Sequence, residues 1–137
     1  MPQLMEAAQV EKELNVYGQA RLARKDTVAD ATATRVCTSA DYGKTLLLSY
    51  EGEVAVTLPA NGAPAGSQID FINIGSDTCA PTVSAATVDT LITVNDQAAD
   101  SVTYGSGHRI GSHLRVISTG TYWVAVNLGS TTMTVTT

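Results

Sequence analysis

The sequence predicts an all-β protein: an antiparallel β-sandwich or short barrel that follows an N-terminal helical or extended arm. Its apolar content comes largely from valine, alanine, leucine and isoleucine, and threonine is abundant. Only 5% of the residues are aromatic and 15% are charged, a composition that favours strands with small side chains. From Lys44 onward, short segments with a period of two alternate with turn residues, which is typical of sandwiches and barrels.

The chain is expected to divide into an arm with its connector, residues 1–40, and a β-domain, residues 41–137. Residues 3–25 contain good helix formers, with glutamates early and basic residues late, as the helix dipole favours. Gly18 weakens this pattern, and the apolar stripe is too thin for a helix that is stable alone, so the arm needs a surface to lie on. The small, polar residues 26–40 are expected to be the connector. The stripe consists of Leu4, Ala8, Leu14 and Leu22.

Seven segments of the second part are predicted strands. Residues 59–66 between two of them, with two prolines and two glycines, have the composition of a turn. In one segment Ile69 and Phe71 share a face while Ile72 and Ile74 share the other, which indicates burial on both sides or a bulge. The segments are 44–49, 52–58, 68–74, 87–94, 113–118, 121–128 and 131–137.

The segment around Trp123, the single tryptophan of the chain, has two different faces. Four residues on one face form a predicted core surface: Tyr122, Val124, Val126 and Leu128. The opposite face contains Trp123, Ala125 and Asn127. Because tryptophan is enriched at the centres of protein interfaces, we expect this second face to contact another subunit. The alternative is that Trp123 covers a small patch under a loop of its own chain.

The charge distribution excludes several classes of partner. The formal net charge is −5, all of it in residues 36–137, whereas residues 1–35 are balanced. No global positive charge attracts nucleic acid, no apolar run approaches the ~20 residues of a membrane span, and the N-terminus lacks the pattern of a signal peptide. We therefore expect neither nucleic-acid nor membrane partners.

The glycine-rich stretch GSGHRIGSH, residues 105–113, is the strongest candidate for chemistry. It contains His108 and His113, the two histidines of the chain, beside Ser106 and Ser112. A metal site needs a third ligand, and a serine nucleophile with a histidine base needs an orienting carboxylate; no acid is close in sequence. We therefore interpret the stretch as an exposed loop, and expect no catalytic residue, no metal and no cofactor.

Acidic residues and cysteines offer two further candidates. Calcium could be bound if a loop gathered four residues, but their spacing fits no known calcium loop. The two cysteines, Cys37 and Cys79, are either reduced and structural or paired with each other. The four possible calcium ligands are Asp89, Asn95, Asp96 and Asp100.

The basic cluster ARLARK, residues 20–25, has two interpretations. It could dock on an acidic surface, or it could be a solvated helix end that is favourable to the helix dipole. With the first interpretation, the expected docking residues of the arm are Leu14, Arg21, Arg24 and Lys25.

Four short motifs follow one another in order. They are D-Y-G-K-T-L-L-L from Asp41, V-T-L-P-A-N from Val56, P-A-G-S-Q-I from Pro64, and G-T-Y-W-V-A-V-N-L-G from Gly120. This series resembles a β-module of tailed-phage virion proteins. In those modules an A-G-K-T type sequence and a P-x-G-T-x-I type sequence begin strands, V-T-L-P ends a strand, and G-T-x-W-x-A-x-G forms the last one. The resemblance covers residues 41–129.

The resemblance implies a function in contacts rather than catalysis. Such modules occur in fibre and head-decoration proteins and usually form trimers. We therefore expect a homotrimeric decoration or cement protein that is made in the host cytoplasm and binds the major capsid protein on the capsid surface. A tail-fibre or receptor-binding module that recognises host glycans is the alternative. A hydrolase is the third possibility, but the sequence offers no carboxylate pair or triad for it.

Overall fold

The computed structural model describes residues 26–129 and 132–137, and within them the chain is almost entirely β-structure. The all-β prediction is confirmed. Besides the strands there is a single turn of 3-10 helix, Ser39–Asp41, in the described part. The strands are β1 Asp26–Asp30, β2 Thr34–Val36, β3 Lys44–Leu48, β4 Glu53–Thr57, β5 Gln68–Asn73, β6 Ala80–Ser84, β7 Leu91–Thr93, β8 Asp96–Ala99, β9 Ser101–Tyr104, β10 His113–Ser118, β11 Trp123–Asn127 and β12 Met133–Thr136.

The strands form two mixed sheets that enclose one core. The seven-stranded sheet has the order β1-β3-β5-β10-β11-β7-β8, and the five-stranded sheet has the order β12-β9-β6-β4-β2. Both sheets are mixed and not purely antiparallel, because β1, β3 and β5 pair in parallel in one sheet and β2, β4 and β6 pair in parallel in the other. Parallel neighbours cannot be joined by a tight hairpin. Here the chain visits the opposite sheet between them.

The predicted connector belongs to the β-domain. Residues 26–40 contain β1, which lies beside β3, and β2, which lies beside β4. The segment then turns through a capping box in which the Thr38 hydroxyl accepts from a backbone N–H of the 3-10 turn and the Asp41 carboxylate accepts from the Thr38 N–H. Arg35 pairs with Asp30 and with Asp41, both buried. The domain boundary at residue 41 is therefore placed too late.

The chain passes from one sheet to the other between β8 and β9. β8 pairs with β7 in the seven-stranded sheet, and after Asp100 the chain continues as β9 in the five-stranded sheet. The backbone of Asp100 bonds to both neighbours at this crossing, donating to the Thr136 carbonyl at 2.7 Å and accepting from the Ala85 N–H at 3.0 Å. The two sheets are thus connected at this corner through Asp100, the single residue between β8 and β9.

The core lies between the sheets and is filled by the inward residues of both. Leu46 and Leu48 of β3, with Ile69 and Phe71 of β5, point into it, whereas Ile72 is half-buried on the outer side. The expected burial on both sides of this segment is therefore met only in part, because Ile72 is half-buried and Ile74 is 55% exposed. The other large buried residues include Val54, Val56, Leu58, Leu91, Leu114, Val116 and Trp123.

The face assigned to another subunit in the sequence analysis is the core face of the chain itself. Trp123 is 1% exposed and Ala125 is 3% exposed, and Asn127 is half-buried. The predicted core face is the outer one: Tyr122 is 41% exposed and Leu128 is 43% exposed, with Val124 and Val126 half-buried. Trp123 and Ala125 are buried within the chain, so their side chains have no surface left for a partner, contrary to the predicted intersubunit contact. For the half-buried Asn127 the intersubunit role stays a prediction.

Replacing Trp123 by alanine should destabilise the fold rather than an oligomer. Removing a fully buried tryptophan costs about 3–5 kcal/mol in lost burial and in the cavity that remains. We expect the urea midpoint, followed by far-UV circular dichroism, to fall accordingly. Tyr122→Ala, one residue away on the outer face, is the matched control and should change the free energy of unfolding by less than about 1 kcal/mol. Equal effects of the two substitutions would contradict the burial of Trp123.

Candidate functional site

Three of the four short motifs meet at the Trp123 side chain. The indole Nε1–H donates to the Pro59 carbonyl at 3.0 Å, which joins the fourth motif to the second across 64 residues. The Tyr42 ring of the first motif packs against the indole, with ring centroids 6.1 Å apart and the planes tilted by 54°. A buried tryptophan that uses its N–H in this way satisfies its polar atom without exposing it to water.

The third motif is tied to the same place by hydrogen bonds. The Gly66 N–H donates to the Ser118 carbonyl at 2.8 Å, and the Ser118 hydroxyl donates to the Ala63 carbonyl at 2.7 Å. The Gly43 N–H of the first motif donates to the Gln68 carbonyl at 2.7 Å. Gly43 and Gly66 have φ values of +78° and +89°, which side chains rarely adopt, so the glycines of these motifs are needed for their turns. The motif residues thus support the fold and do not form an open site.

The outer face of the seven-stranded sheet is the most distinctive surface of the described residues. Cross-strand pairs place Leu47 beside Ile72 and Ile117 beside Val124. We call six residues of this surface the apolar face; five of them are half-buried, and Leu128 is 43% exposed. They are Leu47, Ile72, Ile117, Val124, Val126 and Leu128. Monomeric proteins rarely leave a contiguous apolar surface of more than a few hundred Å² in water.

A charged cluster lies in the middle of the apolar face. Asp70 is 2% exposed although it points outward from β5. The Arg115 guanidinium covers it with two hydrogen bonds, from Nε to Oδ1 at 2.9 Å and from an Nη to Oδ2 at 3.0 Å. His113 Nε2 lies 2.9 Å from Asp70 Oδ2. The hydrogen bond and the charge of the carboxylate raise the pKa of Arg115 against the smaller effect of burial.

Local sequence patterns do not reveal this cluster, because its members are far apart in the chain. His113 has an acidic partner after all, and that partner is 43 residues upstream. The signal available was a lone charged residue near the middle of each of two apolar strand segments, Asp70 in QIDFINI and Arg115 in HLRVIS. Opposite charges at such positions favour pairing between adjacent strands.

The glycine-rich loop does not bring its histidines to a common site. His108 is exposed, whereas His113 belongs to β10 and contacts Asp70. Arg109 fastens the loop by donating to the carbonyls of Tyr104 at 3.3 Å and Asp77 at 2.8 Å. Among residues 26–129 and 132–137, no three histidine, cysteine or acidic side chains are grouped so that they could hold a metal ion.

The four proposed calcium ligands mostly serve their own loops. Asp100 Oδ1 accepts from the Asp89 N–H at 2.8 Å, and Asp96 Oδ1 accepts from the Ala98 N–H at 2.8 Å. Asp89 and Asn95 adopt left-handed backbone conformations with φ of 60° and 58°. These are turn functions that short polar side chains support.

The outer face of the five-stranded sheet is small and hydroxyl-rich. Thr34 lies beside Ala55, Ala55 beside Thr82, and Thr82 beside Thr103 in a row that crosses four strands. A shallow groove of about 490 Å³ runs over this row, with Glu53 and Arg109 also in its lining. None of its lining residues is aromatic: Ala33, Thr34, Glu53, Val54, Ala55, Ala80, Thr82, Thr103 and Arg109.

Comparison with known proteins identifies no family for this chain. No family model matches the chain, and no curated protein matches it.

In the described part of the chain, no helix has the length and apolar character needed to cross a membrane. The predicted docking residues Leu14, Arg21, Arg24 and Lys25 lie outside the described residues.

Both cysteines should resist thiol reagents in the folded protein. Cys37 is 3% exposed and Cys79 is inaccessible, and both are free. Burial raises the pKa of Cys37 to about 12 and also raises the pKa of Cys79, so neither thiol ionises near neutral pH. We expect Ellman's reagent at pH 8 to react with neither until urea unfolds the chain, and with both afterwards. Fast reaction of the native protein would contradict this burial.

Replacing Asp70 by asparagine should destabilise the protein. The change removes the charge that compensates Arg115 and alters the contact with His113, and we expect a loss of about 1–3 kcal/mol because both partners remain partly solvated. Urea unfolding followed by circular dichroism measures it. Asp77→Asn removes the same charge at an exposed position and should have little effect. A loss as large for Asp77→Asn would show that the effect is one of overall charge.

Proposed function

We propose that this chain is a structural virion protein of a tailed bacteriophage, a capsid decoration or cement protein that binds the assembled capsid as a trimer. The observation that carries the proposal is that the first, second and fourth motifs meet at Trp123 and that the third bonds to Ser118, the strand partner of Trp123. Motifs that are 64 residues apart in sequence and that bond to one another are one structural unit. This supports the resemblance to phage virion modules, and the resemblance supplies the function.

The proposed mechanism is thermodynamic. A protein that binds the assembled shell but not its separated subunits stabilises the shell by mass action. No covalent step is needed, and the protein is not an enzyme in this proposal. The partner is the major capsid protein, the location is the capsid surface, and the protein is made in the host cytoplasm before it joins the shell.

The N-terminal residues supply the capsid contact in this proposal. The basic cluster at Arg21, Arg24 and Lys25 directly precedes β1, the edge strand of the seven-stranded sheet. A docking segment anchored at a sheet edge can reach a neighbouring surface without disturbing the core. Leu14 would add an apolar contact to the charged ones.

A receptor-binding module remains the second candidate, and the groove on the five-stranded sheet is the place where a glycan would bind. Its threonine hydroxyls, with Glu53 and Arg109, offer hydrogen bonds to sugar hydroxyls. Its lining lacks the aromatic ring on which a sugar would stack, and this ranks the candidate second.

Particles that lack the protein should assemble and package DNA but lose that DNA at a lower temperature or under milder osmotic shock. The reason is that each bound copy adds free energy to the shell but not to its parts. Release of DNA during heating, followed with an intercalating dye, measures the effect. Adding back the wild-type protein or His108→Ala, altered in an exposed loop, should restore stability, whereas the triple variant Arg21→Ala, Arg24→Ala, Lys25→Ala should not.

Two outcomes would overturn the cement function. Depleted particles could be as heat-resistant as intact ones yet fail to adsorb to cells, in which case the receptor-binding candidate replaces it. Alternatively, imaging of a labelled copy could place it on the tail and not on the head.

A further inference from the structure

We infer that the apolar face of the seven-stranded sheet is where copies of this chain associate with one another. The inference deepens the proposed function. It rests on that function for the number of copies in the oligomer, which is three. The face itself is identified from the described residues, through the arrangement of Asp70 and Arg115 among Leu47, Ile117 and Val124.

The size of the face is sufficient for self-association. Five adjacent strands, β3-β5-β10-β11-β7, at a spacing of about 4.8 Å and with three outward rows each, span roughly 24 by 20 Å. Around the three-fold axis of a trimer, three such faces of roughly 480 Å² each cover roughly 1,400 Å², and specific interfaces begin at about 1,000 Å². Exposed residues at the margin, Tyr122 at 41% and Ile74 at 55%, would extend the contact.

The charge of the face favours a second copy of the same chain. The protein has a formal charge of −5, so two copies repel each other at most orientations. In the three central rows of this face the single acid is Asp70, and Arg115 compensates it with two hydrogen bonds. The face is therefore a large surface of the described residues on which two copies meet without opposing negative charges.

The buried cluster lowers the cost of covering the face. The Arg115 and His113 side chains are 31% and 28% exposed, and desolvating the Arg115 cation without a partner would be expensive. Both already contact the Asp70 carboxylate, so a covering subunit need not supply a counter-charge. The apolar side chains that surround the Asp70–Arg115 pair on this face then supply the free energy of association.

The test measures the association of the full-length chain and of variants in one outward position on each sheet. Sedimentation velocity from about 1 to about 100 µM should show a wild-type oligomer that dissociates on dilution. Val124→Glu should weaken association at least ~10-fold, because a carboxylate would be buried without a partner. Thr82→Glu is the matched control: it adds the same charge at a half-buried outward position of a central strand in the five-stranded sheet. It should leave association unchanged.

A second measurement does not depend on an added charge. Val124→Cys and Thr82→Cys each introduce one accessible thiol, because the native Cys37 and Cys79 are buried. The rate of maleimide labelling at position 124 should fall at least ~10-fold as protein concentration rises through the association range, and the rate at position 82 should stay constant. Circular dichroism shows that each variant is folded.

Three results would overturn the inference. The wild-type chain could be monomeric at every concentration; the oligomer could be unaffected by Val124→Glu; or labelling at position 124 could be slow at every concentration, which would mean that residues 1–25 of the same chain cover the face. The failures of the two proposals can be told apart. A monomer that is found on phage heads refutes this inference alone, and a Val124-dependent oligomer that is absent from heads refutes the capsid function alone.

Discussion

The hydrogen bond from the Trp123 indole to the Pro59 carbonyl is the interaction on which the rest of the structure depends. It fixes the largest buried side chain of the chain between the turn that follows β4 and the beginning of β11. Tyr42 packs on the same indole, and the turn before β5 bonds to Ser118 just ahead of it. Trp123 therefore contacts two segments that are remote from it in sequence, and a third is bonded to its strand partner Ser118. Once they are placed, the inward and outward faces of β11 are determined, and with them the composition of the apolar face.

The reversal of the two faces of β11 shows how far sequence reasoning extends. The period of two was identified correctly, and it separates Trp123 and Ala125 from Val124 and Val126 as the structure does. The choice of the core face was wrong because both faces are apolar. Alternation shows which residues share a face, but it indicates the buried side only where the other side is polar. β4 provides the contrast: Glu53 and Ala55 alternate with Val54 and Val56, so its buried side was unambiguous.

Other differences between sequence and structure have equally local causes. β6 was not among the predicted strands and contains Pro81, a residue that is rare in central strands. β1 and β2 lie in the stretch that was interpreted as a connector. Their strand character comes from pairing with neighbours that are remote in sequence, which no local pattern reports. The contact between Asp70 and Arg115 is of the same kind. The motif turns, by contrast, were located well, because glycine and proline determine the backbone from within the turn itself.

The alternation of consecutive strands between two sheets has a consequence for how the chain folds. Each of the first six strands has its neighbour two strands away in sequence, so none of these pairs forms until the chain has crossed to the opposite layer and returned. The hairpin of β10 and β11 is instead a local pair. A topology of this kind has a high contact order, and chains of high contact order fold on the millisecond-to-second scale. We expect the local β10–β11 pair to form before the parallel pairs, because its ends are brought together by closing a much shorter loop.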